Sequence, residues 1–182
     1  PTPGCGRSAN AVADEVVRVH KTIEHCAWVP LATAESDLEL KVRRPTPDRL
    51  KWANSVWGKV KDESRLTRTE VYARETFGLA KFPPTMRVKL QALSIGELGI
   101  AAEPCEVFAS TGLEIKQRSP RRQTFTISLA KGYGGYLPTP RDHEMGGYET
   151  WPARSSYLEV EASEKIRDEL LRLLKIVGTP GR

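Results

Sequence analysis

From Asp37 to Arg43 apolar and polar residues alternate without a slip, with Leu38, Leu40 and Val42 on one side and Glu39, Lys41 and Arg43 on the other. A period of two predicts a half-buried strand. Upstream the period changes. Val12, Val16, Val19 and Ile23 recur at helical spacing, with Asp14, Glu15, Arg18 and Lys21 off that stripe, so residues 9–25 read as an amphipathic helix. Pro1-Thr2-Pro3-Gly4 reads as neither a signal peptide nor a helix start, and the first residue as a truncation or processing point. Thr46-Pro47 supplies an N-cap and a first-turn proline for a helix carrying Leu50, Trp52, Val56 and Trp57. Residues 66–79 read as helical with weaker periodicity.

Pro83-Pro84 breaks the chain. Val88, Leu90 and Ala92 then alternate, Gly96-Glu97 marks a turn, and Leu98 to Ala102 is an apolar run, which together predict a β-hairpin. A helix is expected from Val107 to Arg118, burying Phe108 and Ile115. Phe125, Ile127 and Leu129 predict a strand over 124–130. A strand–helix–strand crossover of this length favours parallel pairing of the 98–103 and 124–130 strands. Residues 131–157 hold five glycines and three prolines and read as mostly loop. Ile166, Leu170, Leu173 and Val177 give the clearest helix, with Ser163 as N-cap and Gly178 and Pro180 ending it. The fold expected is α/β or α+β, a mixed sheet with flanking helices, with no repeat and no internal domain boundary.

Composition narrows the class. Hydrophobic residues make up 39% of the 182 and charged residues 28%, which excludes a disordered chain, and no apolar run is long enough to cross a bilayer. The net charge of +5 is spread rather than gathered on one stretch. The densest cluster, Lys116 to Arg122, suits a helix C-terminus, and a nucleic-acid partner is not expected. Peripheral contact with an anionic lipid surface fits the excess charge. Cys5, Cys26 and Cys105 are odd in number and form no CxxC pair, which argues against a disulfide framework and a thiolate zinc site.

Ligands in open α/β sheets bind beyond the carboxyl ends of strands. Glu106 follows one such end and Lys131-Gly132-Tyr133-Gly134-Gly135-Tyr136 the other. With the two strands parallel, Glu106 and Tyr136 approach at one edge, and each offers an anionic oxygen to a divalent cation. The residues alone leave other readings open. A carboxylate there also suits a helix start, and a glycine-rich loop with two tyrosines also suits a structural turn.

Ile95-Gly96-Glu97-Leu98-Gly99-Ile100-Ala101-Ala102-Glu103-Pro104-Cys105-Glu106 resembles the IGDLAIVAVPGE segment of neutral, non-lysosomal ceramidases. Leu129 to Thr139 resembles their ANxYxxYxxT segment, and Gly147-Tyr148-Glu149 the GYE that follows. The three segments occur in the right order, and the resemblance covers about residues 85–160. It implies that residues 1–182 are the C-terminal portion of a larger two- or three-layer catalytic domain. It implies zinc as the cofactor, with Glu106 and Tyr136 as ligands and Tyr148 beside the oxyanion. It also implies hydrolysis of the N-acyl amide of a ceramide-like lipid, with Trp151 lining an apolar substrate cleft. The family's zinc-binding histidines precede this region, and His20, His25 and His143 match none of them. The isolated chain is therefore expected to be inactive without the N-terminal half of the domain. Family members are commonly secreted or periplasmic. Cys105 stands where the family has Gly, and Lys131 where it has Asn. A non-catalytic descendant that binds a ligand or partner is the alternative, and a basic interaction domain with chance motif matches a third.

Overall fold

The alternation that opens the chain's first sheet continues further than the sequence pattern showed. In the computed structural model, which describes residues 3–178, the first strand β1 runs Leu31–Lys41 and pairs antiparallel with β2, Thr85–Ile95. β2 turns at Gly96 into β3, Leu98–Ala102, and β3 pairs in parallel with β5, Gln123–Ile127. The sheet order is β1-β2-β3-β5. The hairpin and the parallel crossover are those the sequence predicts, and the fold is mixed α/β.

Leu40, Val88, Leu90, Ala92 and Ala101 form the inner face of this sheet and are buried. Helix α6, Ala162–Gly178, lies on that face with Ile166, Leu170, Leu173, Leu174 and Val177 turned inward. Its apolar stripe is the physical reason the sheet and helix associate, since burying each large aliphatic side chain contributes roughly 1.5–3 kcal/mol. The crossover helix α4, Ala109–Arg118, packs against β5 and α6 and buries Ile115. Helices α2, Pro47–Trp57, and α3, Arg68–Ala80, pack on each other. Thr46 caps α2 as predicted, and Thr67 with Glu70 closes a capping box on α3.

Several boundaries differ from the sequence expectations. The first helix, α1, spans Pro3–His20 rather than 9–25, because a proline in the first turn sacrifices no helical hydrogen bond. Its Val12, Val16 and Val17 are exposed, so its apolar stripe meets no layer of the described chain. Trp28 is exposed as well. Helix α4 begins after Phe108, which is half-buried. Ser163 is a buried residue inside α6 rather than its cap. The segment 131–157 is not mostly loop. It holds the two-residue strand β6, Tyr136–Leu137, a short helix α5, Pro140–Met145, and a 3-10 turn, Tyr148–Thr150. Thr139-Pro140 followed by Asp142 is a second N-cap signal, masked by its glycine-rich surroundings. Pro1, Thr2 and Pro180 lie outside the described residues.

The strand at β5 carries the most informative reversal. Its buried residue is Thr124, while Phe125 and Ile127 face outward, on the side of the sheet away from α6. The register places Phe125 beside Ile100 and Leu93, and Ile95 beside Leu31 and Leu98. One end of the outer face is therefore apolar and exposed, with Leu31, Leu93, Ile95, Phe125 and Ile127, while the other end carries the charged residues Glu35, Asp37 and Lys89. A sheet with apolar residues on both faces is suited to sit between two layers.

Candidate functional site

Glu106 and Tyr136 meet. After β3 the chain passes Pro104-Cys105 and forms β4, Glu106–Val107, which pairs in parallel with β6 so that Glu106 stands directly opposite Tyr136. The glycine-rich loop makes this pairing. Glu106 N–H donates to the Gly135 carbonyl at 2.8 Å, and Tyr136 N–H donates to the Ser155 carbonyl at 2.8 Å. Gly135 has φ +73°, and a Cβ there would lie 2.6 Å from the Ser155 carbonyl oxygen. Only glycine fits both demands. Gly134 likewise packs against Cys105, whose thiol lies in the core.

Glu106 does not serve as a helix cap. The N-cap of α4 is Phe108, and no side chain caps that helix. The Glu106 carboxylate instead accepts a hydrogen bond from the Tyr133 hydroxyl at 3.2 Å. Burial first, and then the Glu106 charge, raise the Tyr133 pKa, which keeps that hydroxyl a donor. Glu106, Tyr136 and Glu149 line one cavity of about 350 Å³, together with Phe108, Ser128 and Leu129. Tyr148 stands edge-on to Tyr136, ring centroids 5.6 Å apart at 87°. Hydrogen bonding to Tyr136, and then the nearby Glu149 carboxylate, push the Tyr148 pKa up to about 12. Tyr148 is thus a neutral O–H donor at physiological pH, and at 57% exposure it faces open space.

Trp151 lies elsewhere. It stacks edge-on against Tyr72 at 5.0 Å and lines a neighbouring cavity with Arg68, Tyr72 and Tyr148 rather than the one holding Glu106. Lys131 turns away from the site and pairs with Glu35 of β1 at 3.6 Å. Its φ of +60° is the left-handed region that asparagine tolerates better than lysine. The Cys105 side chain joins the core rather than the cavity, as alternation along the strand requires. His20 and His25 are exposed, and His143 sits in α5, outside the cavity. Tyr133 and Glu149 were not assigned a role by the sequence. Tyr133 had a signal in its spacing, three residues before Tyr136, whereas Glu149 had none.

No family model and no curated protein matches the sequence. Among solved structures, one described as the neutral ceramidase from Pseudomonas aeruginosa superposes on 80% of this chain with a TM-score of 0.53 at 13% identity. The chain has the fold of part of a neutral ceramidase. A second structure, a ceramidase complexed with C2, aligns over 50% of the chain at 17% identity and a TM-score of 0.43. The chain spans 28% and 15% of the lengths of these two proteins.

The donors can be weighed against a zinc ion. Glu106 and Tyr136 are register partners that line one cavity, and the Tyr133 hydroxyl donates to the Glu106 carboxylate. Among the described residues no group of three or more His, Cys, Asp or Glu is placed to hold a metal ion. A catalytic zinc normally takes three protein ligands and a water. The residues present fit part of such a site and do not complete one.

Proposed function

We propose that this chain supplies half of the active centre of a zinc-dependent amide hydrolase that cleaves the N-acyl bond of a ceramide-like lipid. The reading rests on one observation above the others, the parallel register that sets Glu106 opposite Tyr136. In it, Glu106 and Tyr136 hold the ion together with imidazoles from the N-terminal half of the domain, which covers the apolar outer face of the sheet. The bound ion supplies an activated water and a Lewis acid. Tyr133 orients the Glu106 carboxylate. Tyr148 donates its O–H to the amide carbonyl oxygen as negative charge develops there. Trp151, one cavity further along, lines the path of the lipid.

The test is release of fatty acid from a short-chain fluorescent ceramide by the longest natural chain containing these residues. Wild-type protein is expected to turn over, and Tyr148→Phe to lower kcat by about 100-fold with KM little changed, the size of a lost oxyanion donor. Wild-type protein that leaves the amide intact would refute the reading. The isolated 182-residue chain is expected to show no tight zinc binding by calorimetry, and stoichiometric tight binding would contradict the two-donor count.

A further inference from the structure

A cavity larger than the one that holds Glu106 lies elsewhere on the molecule. It has a volume of about 590 Å³, in the range of small-molecule sites, and lies between α2, α3 and the segment around Trp151. Arg43, Arg44, Arg49 and Arg68 all line it, and no acidic residue does. None of the four makes an ion pair among the described residues, whereas Arg18, Arg118, Arg154, Arg167 and Arg172 each pair with a carboxylate.

These guanidiniums are held in place rather than left loose. Arg43 donates to the carbonyls of Thr150 and Ser156, each at 2.9 Å, and to Ser156 Oγ at 2.8 Å. Arg44 donates to the Ala80 carbonyl at 3.1 Å. The Arg49 guanidinium lies 3.7 Å from the centre of the Trp52 ring, and that of Arg68 lies 5.7 Å from the centre of Trp151. Thr46, the N-cap of α2, and Arg68 and Thr69 of the first turn of α3 share the cavity, so two helices present their positive ends to it. Four like charges gathered at one concavity repel one another, and an anion relieves that repulsion. Between the arginines, Trp52, Leu79 and Trp151 give the walls apolar area.

We propose that this cavity binds an anionic amphiphile, its phosphate or carboxylate head held by the arginines and its apolar chain lying along Trp52 and Trp151. Arginine matches such heads because its planar fork donates two parallel hydrogen bonds. The site shares no residue with the Glu106–Tyr136 cavity, although Arg68, Tyr72 and Trp151 also line the smaller cavity beside Tyr148, and its occupancy does not depend on amide hydrolysis.

The probe is octyl phosphate, titrated into the 182-residue chain by calorimetry with tryptophan fluorescence as a second readout. Saturable binding of one molecule per chain is expected, with inorganic phosphate and octanol each binding at least about tenfold more weakly. Arg49 and Arg68 sit on helix surfaces, so Arg49→Gln with Arg68→Gln is expected to keep the fold, checked by circular dichroism. That variant should weaken octyl phosphate by about tenfold or more. Glu106→Gln is expected to leave it unchanged. Equal affinity for inorganic phosphate would overturn the amphiphile, and equal affinity for octanol would overturn the anion. Binding undiminished in the double variant would overturn the site, as would binding to phosphatidylglycerol vesicles that octyl phosphate fails to displace.

Discussion

Replacing Glu103 by Gln is expected to abolish a loss of stability, on the order of 4 kcal/mol, that the wild-type chain suffers as the pH rises from about 4.5 to about 8. Glu103 is fully buried at the end of β3, and neither carboxylate oxygen has a hydrogen-bond partner among the described residues. Burial pushes its pKa up from 4.5 to about 8. The sign follows from where the proton resides. Below pH 4.5 the folded and unfolded chains are both protonated at this group and it carries no penalty. Between 4.5 and 8 the unfolded chain releases the proton while the folded chain keeps it, so unfolding is favoured more with each pH unit. Above 8 the penalty is complete and constant. Glutamine keeps the shape of the neutral acid and cannot ionise. Urea denaturation at pH 5 and pH 8 should therefore find the variant close to wild type at pH 5 and more stable at pH 8. Wild-type and variant curves that stay parallel across the range would show that Glu103 ionises freely in the folded protein. The ceramidase segment that this strand resembles has valine at the position, which is the residue a core site calls for.

Gly135→Ala is expected to destabilise the chain by about 2–4 kcal/mol, and to lower Tm by roughly 5–10 °C for a domain of this size. The backbone there is left-handed at φ +73°, and the added methyl would meet the Ser155 carbonyl oxygen at 2.6 Å and its carbon at 2.9 Å. Both contacts are main chain, so neither yields by a rotamer change. The methyl also strikes between the two hydrogen bonds that set Glu106 and Tyr136 opposite each other. Gly146→Ala is the comparison. Its φ is +81° with ψ −173°, but nothing lies within 4 Å of the added methyl, so the conformational cost of about 1–3 kcal/mol remains without a main-chain clash. Equal Tm values for the two variants would show that the contact with Ser155 does not hold the loop.

Local rules made much of this molecule legible. Alternation at 37–43 and 88–92, the turn at Gly96 and the crossover length lead to the sheet order, and Thr46-Pro47 leads to a helix start. The rules failed where a long-range partner decides the outcome. Phe125 and Ile127 alternate as a half-buried strand should, yet the small Thr124 takes the inner side and the large residues lie exposed on the outer one. β4 and β6 are two residues each and carry no periodic signal of their own. Their pairing was inferred from the motifs and from a neighbouring crossover, and the structure achieves it through a separate two-stranded sheet. Glu149 enters the cavity through a 3-10 turn that a glycine-rich stretch conceals. Trp151, three residues after Tyr148, was expected to line an apolar cleft. The turn sets it against Tyr72, in a cavity that Tyr148 also lines.

The arginine-lined cavity had no sequence signal because its residues come from positions 43–49, 68 and 151, which only the packing of α2 on α3 unites. Spread charge along a chain and gathered charge on a surface are different quantities, and composition reports the first alone.

The central claim is that Glu106 and Tyr136 share one cation. Zinc content per chain, measured by atomic absorption after dialysis on the longest natural chain containing these residues, tests it most directly. Wild-type protein should retain about one zinc per chain, and Glu106→Gln and Tyr136→Phe should each lose most of it while circular dichroism stays unchanged. Full zinc retention in both variants would contradict the account.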